Sequence, residues 1–199
     1  MNVNLLSKKQ SALLSNARML FWQLGYRKVT IEDVCKHAGV SKMTFYKFYP
    51  DKLALAKAVY SMEAEMSLNR FRAIMQSEEA VDKKLEAIIT LKSDAVENIS
   101  QAFLHDFYVD EQLGLKEFVG QLTNDSWQDI LVLFGEAQQK GEFRKDFNPA
   151  FFLFIAQKIG EFITDPYLTR LSGGSREAIM EITRLFTWGI APRDLNSKP

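Results

Sequence analysis

The segment 30–49 restricts the fold most, because it holds two short amphipathic stretches separated by a very tight break. The first stretch has apolar residues at helical spacing on one face: Ile31, Val34, Cys35 and Ala38. Gly39 supplies the break, since glycine adopts a positive φ without steric cost. Ser41 is a good N-cap for a second helix, which must end before Pro50. The pattern therefore predicts a helix-turn-helix.

Helical periodicity continues along nearly the whole chain, whereas period-two alternation and hairpin turn pairs are scarce. Short Gly or Pro breaks separate the periodic stretches, and Asp165-Pro166 is expected to end one of them. These patterns predict an all-α protein. The predicted helices span about 7–24, 30–38, 42–48, 51–75, 79–99, 101–112, 115–140, 149–164 and 175–189.

The charge of this chain is divided unevenly along its length, although its net charge is zero. Residues 1–60 carry ten Lys or Arg and three Asp or Glu, a net charge of +7, and the remainder carries −7. A basic head on an acidic body is typical of a protein that offers one end to a polyanion.

Composition excludes several other classes. The sequence contains no apolar run long enough for a signal peptide or a membrane span, so we expect an intracellular, cytoplasmic protein without a membrane partner. A single cysteine, Cys35, makes neither an internal disulfide nor a zinc site. His105 lies beside Asp106, but the only other histidine is His37, so no metal site and no cofactor are expected.

The second helix of the predicted helix-turn-helix divides into two faces. Phe45, Phe48 and Tyr49 form the inner face, and Lys42, Met43, Tyr46 and Lys47 form the outer face with Thr44 at its flank. An exposed helix of this kind fits the major groove of DNA, where residues near its N-terminus meet base edges. The candidate DNA-binding residues are Thr30, Ser41, Lys42, Met43, Thr44, Tyr46, Lys47 and Lys52.

Three other interpretations compete with DNA binding. The pair of helices could be an ordinary hairpin in a bundle, with a solvated outer face. The protein could be a dimeric scaffold that has lost DNA binding, although its basic residues argue against this. It could be an enzyme, but no nucleophile with a base, no paired carboxylates near a histidine and no phosphate-binding loop is present in the sequence.

The stretch from about Ser11 to Leu55 resembles the DNA-binding domain of the TetR family, through LFWQLGY followed by VTIEDVCKHAGVSKMTFYKFYPDKLAL. The resemblance implies a DNA-binding domain at residues 1–52 and a helical ligand-binding and dimerisation domain at 53–199. It also implies a regulator, most often a repressor, whose effector alters its affinity for DNA.

Two positions depart from the family pattern. The family often has Gly where this chain has Met43, and the difference affects the DNA sequence bound. The family usually has Ala at the position of Cys35. Cys35 is interpreted as a small buried hydrophobe, with redox sensing as the alternative.

Aromatic residues concentrate in the C-terminal body, where eleven of the fifteen phenylalanines follow residue 100. Most are expected to be core, but helical bundles also host apolar ligands. The partner expected there is an apolar or aromatic small molecule. The candidate pocket residues are Phe71, Phe103, Phe107, Phe118, Trp127, Phe134 and Phe162.

The last two predicted helices carry broad apolar stripes, which predict a homodimer contact. The candidate interface residues are Phe152, Ile155, Ile159, Ile179, Ile182 and Phe186. A twofold dimer would present two DNA-reading helices, so the expected DNA site is an inverted repeat.

Overall fold

The computed structural model describes residues 7–162 and 165–192, with the side chains of residues 159–162 outside that description. Within these ranges the chain forms helices and turns and contains no strand, which confirms the predicted all-α fold. The helices are α1 (Lys8–Leu24), α2 (Ile31–Ala38), α3 (Lys42–Phe48), α4 (Lys52–Gln76), α5 (Val81–Ala95), α6 (Gln101–Leu104), α7 (Leu115–Gln139), α8 (Pro149–Phe162), α9 (Pro166–Ser172) and α10 (Ser175–Gly189).

Local capping chemistry explains why the N-terminal helices begin where the sequence predicts. Ser7, Thr30 and Ser41 each accept a hydrogen bond from the backbone N–H three residues later. An N-cap of this kind satisfies a donor that the first helical turn leaves without an intrahelical partner.

Two helical segments differ from prediction. Asp165-Pro166 begins α9, because Asp165 Oδ1 accepts hydrogen bonds from the N–H groups of Tyr167 (2.7 Å) and Leu168 (3.0 Å). The predicted helix 101–112 is α-helical only in α6, and it continues as a π-helical turn at His105–Val109.

The chain divides into two compact units. The first unit comprises the described residues up to Met66 and Asn98–Leu122, and in it α1 packs against α2, α3 and α6. Its centre is apolar and closed to solvent, with the fully buried side chains Leu13, Leu14, Phe21, Val34, Phe45, Leu55, Phe103 and Phe107. The boundary between a DNA-binding domain and a ligand-binding domain, predicted between residues 52 and 53, concerns function and stays a prediction. By packing alone, the first unit extends to Met66 and also includes α6.

The second unit comprises Ser67–Glu97 and the described residues from Thr123 onward. In it α10 packs along α5 and α9. Its buried core cluster contains Met75, Leu85, Leu133, Phe134, Ala137, Phe143, Leu153, Ile190 and Ala191. In the part of the chain that the structure describes, no helix has the length and apolarity needed to cross a membrane.

Candidate nucleic-acid interface

The start of α2 is closed by a reciprocal cap. Thr30 Oγ1 accepts from the N–H of Asp33 (3.1 Å), while Asp33 Oδ2 accepts from the N–H of Thr30 (2.9 Å) and from its hydroxyl (2.6 Å). These hydrogen bonds favour the carboxylate and hold the pKa of Asp33 below its usual value. The Thr30 hydroxyl therefore has to leave Asp33 before it donates to a phosphate.

The turn between α2 and α3 depends on Gly39. Its backbone is left-handed (φ 64°, ψ 34°), and the N–H of the next residue, Val40, donates to Cys35 O at 3.0 Å. A Cβ at this position would meet no atom within 4 Å, so conformation alone accounts for the glycine.

The two faces of α3 agree with the inner and outer faces predicted from the sequence. Phe45 is 0% exposed and Tyr49 is 5% exposed, whereas Met43 and Tyr46 are 71% and 56% exposed. Lys47 is exposed and Thr44 is half-buried. The short helix thus presents an apolar side to the first unit and a mixed polar side to solvent.

Lys42 is not a free cation in this structure. Its ammonium forms an ion pair with the carboxylate of Glu32 on α2, and this contact raises the pKa of Lys42. Both side chains are more than half exposed, so the pair is weak and can exchange for another anion.

Lys52 has a role that its sequence position did not predict. Its Nζ donates to the carbonyls of Tyr26 and Val29, both at 2.9 Å, and lies 4.1 Å from the centre of the Tyr26 ring. Burial lowers the pKa of Lys52. The ammonium therefore holds the loop between α1 and α2 with two of its three N–H groups.

Sequence reasoning missed how α6 and its π-helical turn contact that same loop. The Asp106 carboxylate accepts from the N–H of Arg27 (2.9 Å), and the Arg27 Nε donates to Asp110 (3.1 Å). Trp22 packs on Phe103 with ring centres 4.2 Å apart. The signal available in the sequence was Asp106, an acid within a mostly apolar stretch. Because its carboxylate is buried in the structure, it needs a hydrogen-bond donor from another segment.

Two residues of the first unit that the sequence singled out, His105 and Cys35, have surroundings that limit what they can do. His105, Asp106 and Asp110 bring their potential ligand atoms within 4.8 Å, but both carboxylates already engage Arg27. Cys35 is 5% exposed, and burial raises the pKa of its thiol, which disfavours the reactive thiolate.

An apolar cavity of about 290 Å³ lies within the second unit. Its described lining residues are Phe71, Ile88, Lys92, Ile130, Phe134, Phe152, Leu153, Ala156, Ile179, Ile182, Thr183, Phe186, Thr187 and Ile190. Among the predicted pocket residues, Phe71 and Phe134 line it, while Trp127 packs on the core cluster. Phe103 and Phe107 are core residues of the first unit, Phe118 lies beside Tyr60 there, and the Phe162 side chain lies outside the described residues.

The predicted dimer stripes mostly face inward in this structure. Ile179 is 4% exposed, and Phe152, Ile182 and Phe186 line the cavity. Ile155 lies in the half-exposed groove between α8 and α10, and Ile159 lies outside the described side chains. The exposed apolar residues of these helices are Phe151 (63%), Phe154 (49%), Leu185 (67%) and Trp188 (43%). Helical spacing alone does not separate the stripe that packs inside the unit from the one that faces solvent.

Comparison with known proteins agrees with the geometry of the first unit. Residues 13–59 match the family model described as bacterial regulatory proteins, tetR family. Over 152 residues the chain is 26% identical to the HTH-type transcriptional regulator UidR of Escherichia coli (strain K12), covering 71% of this chain and 72% of that protein. Residues 13–59 therefore form a DNA-binding domain of the TetR type, and the chain resembles regulators of the TetR family.

Solved structures of low sequence identity share the fold. The regulatory protein TetR from Rhodobacter sphaeroides superposes with a TM-score of 0.69 at 16% identity, over 93% of this chain and 100% of that chain. The transcriptional regulator FadR from Bacillus subtilis, in complex with stearoyl-CoA, superposes with a TM-score of 0.63 at 15% identity, over 90% and 98%. Proteins of the TetR family are DNA-binding transcriptional regulators rather than enzymes, and this chain is such a regulator.

Proposed function

We propose that this protein is a TetR-family repressor that binds an inverted-repeat operator as a homodimer, with one α3 in the major groove at each half-site. The observation that carries the proposal is the division of α3, where Met43 and Tyr46 are largely exposed and Phe45 is fully buried. This helix lies in a basic segment and exposes large side chains to solvent. Such a helix suits the major groove of DNA, which admits one helix.

We assign the residues of this face to two kinds of contact. Lys42, Met43 and Thr44 lie in the first turn of α3, which is the part of a recognition helix that meets base edges. Tyr46 and Lys47 follow on the exposed face, and Thr30 and Ser41 are at helix N-termini, which favour phosphate. Lys52 supports the loop beside this surface and has one N–H left for the backbone of DNA.

The proposed dimer uses the exposed apolar residues of α8 and α10, namely Phe151, Phe154, Leu185 and Trp188. Exposed apolar side chains grouped on neighbouring helices of one unit are typical of a subunit interface. A twofold axis through this surface would repeat α3 once per half-site.

The proposed effector site is the cavity of the second unit. Stearoyl-CoA in the Bacillus subtilis FadR structure is an example of a ligand bound by a protein of this fold. An effector that binds the DNA-competent and incompetent states with different affinity would weaken DNA binding, and DNA would weaken effector binding by the same factor.

The test replaces Tyr46 and Lys47 with Ala and measures binding to a selected operator at several salt concentrations. We expect weaker binding and a slope of log K against log salt that is lower by about one for each phosphate group that is no longer bound. Lys140→Ala, an exposed lysine of the second unit, is the matched control and should leave the slope unchanged. A double variant with the affinity and slope of the parent would refute the assignment of this face.

A further inference from the structure

The cavity of the second unit carries a single charge among its described lining residues. That charge is on Lys92, in the last turn of α5, and no described lining residue is acidic. The wall is otherwise dominated by phenylalanine and aliphatic side chains. An isolated cation in such surroundings is costly unless it is hydrated or paired.

The Lys92 ammonium has no hydrogen bond or ion pair with any described residue. The residue is exposed to solvent, although the surrounding protein desolvates the ammonium and lowers its pKa. Lys92 is one of the residues that line the apolar cavity, so part of the protein around it is that apolar wall. Arg176 adds positive potential nearby, since its guanidinium donates to the Ser93 hydroxyl at 2.8 Å.

The other polar lining residues are Thr183 and Thr187, whose hydroxyl groups supply no anion for Lys92. Thr183 donates its hydroxyl to the carbonyl of Ile179 at 2.7 Å, one turn earlier in α10, which leaves it only acceptor lone pairs. Lys92 is therefore the strongest donor that the described part of the cavity offers a ligand.

The size and wall of the cavity limit the rest of the ligand. A volume of about 290 Å³ is near the lower end of small-molecule sites, which span roughly 300–1,000 Å³. Four phenylalanines form a chain of edge-to-face contacts along it, with ring centres at 6.1 Å (Phe71–Phe134), 5.5 Å (Phe134–Phe152) and 4.9 Å (Phe152–Phe186). This wall suits a compact apolar body, and aromatic rings pack well against it.

We infer that the effector is a compact carboxylic acid, with an apolar and preferably aromatic body against the phenylalanines and its carboxylate paired with Lys92. This inference rests on the proposed function, because it names the ligand class of the proposed effector site. The carboxylate would supply the anion that the described residues lack, and the charged hydrogen bond would form in a largely apolar space.

The test compares two probes with the same apolar body and headgroups of nearly the same size, one a carboxylate and the other a neutral amide. 4-Phenylbutyrate and its neutral amide, 4-phenylbutanamide, are titrated by calorimetry into the full-length protein at pH 7.4. We expect the acid to bind about tenfold or more tightly than the amide, which is the effect of one hydrogen bond between charged groups. Lys92→Met should abolish or reverse the preference, and Lys92→Arg should keep it.

Lys83→Met is the matched control, because Lys83 lies on the same helix but is exposed and paired with Glu86. It should keep the preference of the parent. The inference is overturned if the parent binds neither probe, if it binds the amide as tightly as the acid, or if Lys92→Met retains the preference. Should Lys92→Met fail to fold, the parent and Lys92→Arg still decide through the two probes.

DNA binding of the same preparations, measured without probe, separates this inference from the proposed function. A parent that binds its operator but shows no preference for the acid overturns the effector class alone. A parent that prefers the acid but selects no DNA overturns the proposed function and leaves the acid site standing.

Discussion

The backbone N–H of Arg27 donates to the buried carboxylate of Asp106 at 2.9 Å, which ties the loop between α1 and α2 to the π-helical turn after α6. The Arg27 side chain extends the connection to Asp110. Lys52 donates to two carbonyls of the same loop from α4, so four hydrogen bonds from two sides hold the loop that precedes α2.

Gly25→Ala should destabilise the protein more than Gly39→Ala. Gly25 has φ 82° and ψ 164°, a region almost restricted to glycine, and a Cβ there would lie 2.8 Å from Ala102 Cβ and 2.9 Å from Asp106 Oδ2. We expect a loss of about 2–4 kcal/mol, from backbone strain and overpacking together. Gly39→Ala adds no close contact and should cost about 1 kcal/mol. Urea unfolding of both variants is the measurement, and equal losses would contradict the close approach at Gly25.

Asp110→Asn should change how stability depends on acid pH. The Arg27 hydrogen bond lowers the pKa of Asp110 in the folded protein, so its stabilisation is complete above the unfolded value of about 3.9 and is lost as pH falls toward the lower folded value. The difference in urea midpoint between parent and variant should therefore be largest at pH 5–6 and shrink near pH 3. A difference that stays constant over this range would argue against the pair.

Lys52→Met should mainly lower the free energy of unfolding and should have only a small effect on the salt dependence of DNA binding. The substitution removes two charged hydrogen bonds to backbone carbonyls and a cation–π contact, which we expect to cost about 1–3 kcal/mol. Lys47→Ala, at an exposed lysine, should show the opposite pattern. Thermal unfolding and salt titrations of both variants test this, and a Lys52→Met protein of parental stability would refute the supporting role.

Glu32→Gln should tighten DNA binding. In the free protein Glu32 holds the Lys42 ammonium, so DNA has to displace it. Since both partners are exposed, we expect the urea midpoint of the variant to stay close to that of the parent. The gain in affinity should disappear when Lys42 is also replaced with Ala. If the gain persists in the double variant, Glu32 acts by general repulsion of DNA and not through Lys42.

Leu185→Asp should give a folded monomer. Leu185 is 67% exposed, so the charge is tolerated in one chain but would be buried in the proposed dimer. Sedimentation at micromolar protein is the measurement, with circular dichroism as the test of folding. Met43→Asp places the same charge at an exposed apolar residue of α3 and should remain a dimer. An unchanged mass for Leu185→Asp would move the interface elsewhere.

The N-terminal helices could be predicted closely because their signals are local. Thr30 and Ser41 cap the backbone three residues ahead, and Gly39 adopts a conformation that most residues avoid. The two faces of α3 also followed from spacing, since one face is plainly apolar and the other carries lysines.

The body was harder to predict, because α8 is apolar around most of its circumference and helical spacing does not say which side faces the protein's own core. Phe152 faces the cavity and Phe151, the adjacent residue, faces solvent, yet both are phenylalanines. Likewise, Asp165-Pro166 both interrupts a pattern and starts α9.

The sequence by itself determined most of the helices, the helix-turn-helix and the resemblance to the TetR family, because these depend on contacts within a few residues and on a specific motif. Only the tertiary structure decided that Lys52 supports a loop, that Asp106 accepts a hydrogen bond from Arg27, and that Lys92 lines an apolar cavity. Each of these depends on groups far apart in the chain, and the direction of a long side chain is decided by whatever packs around it.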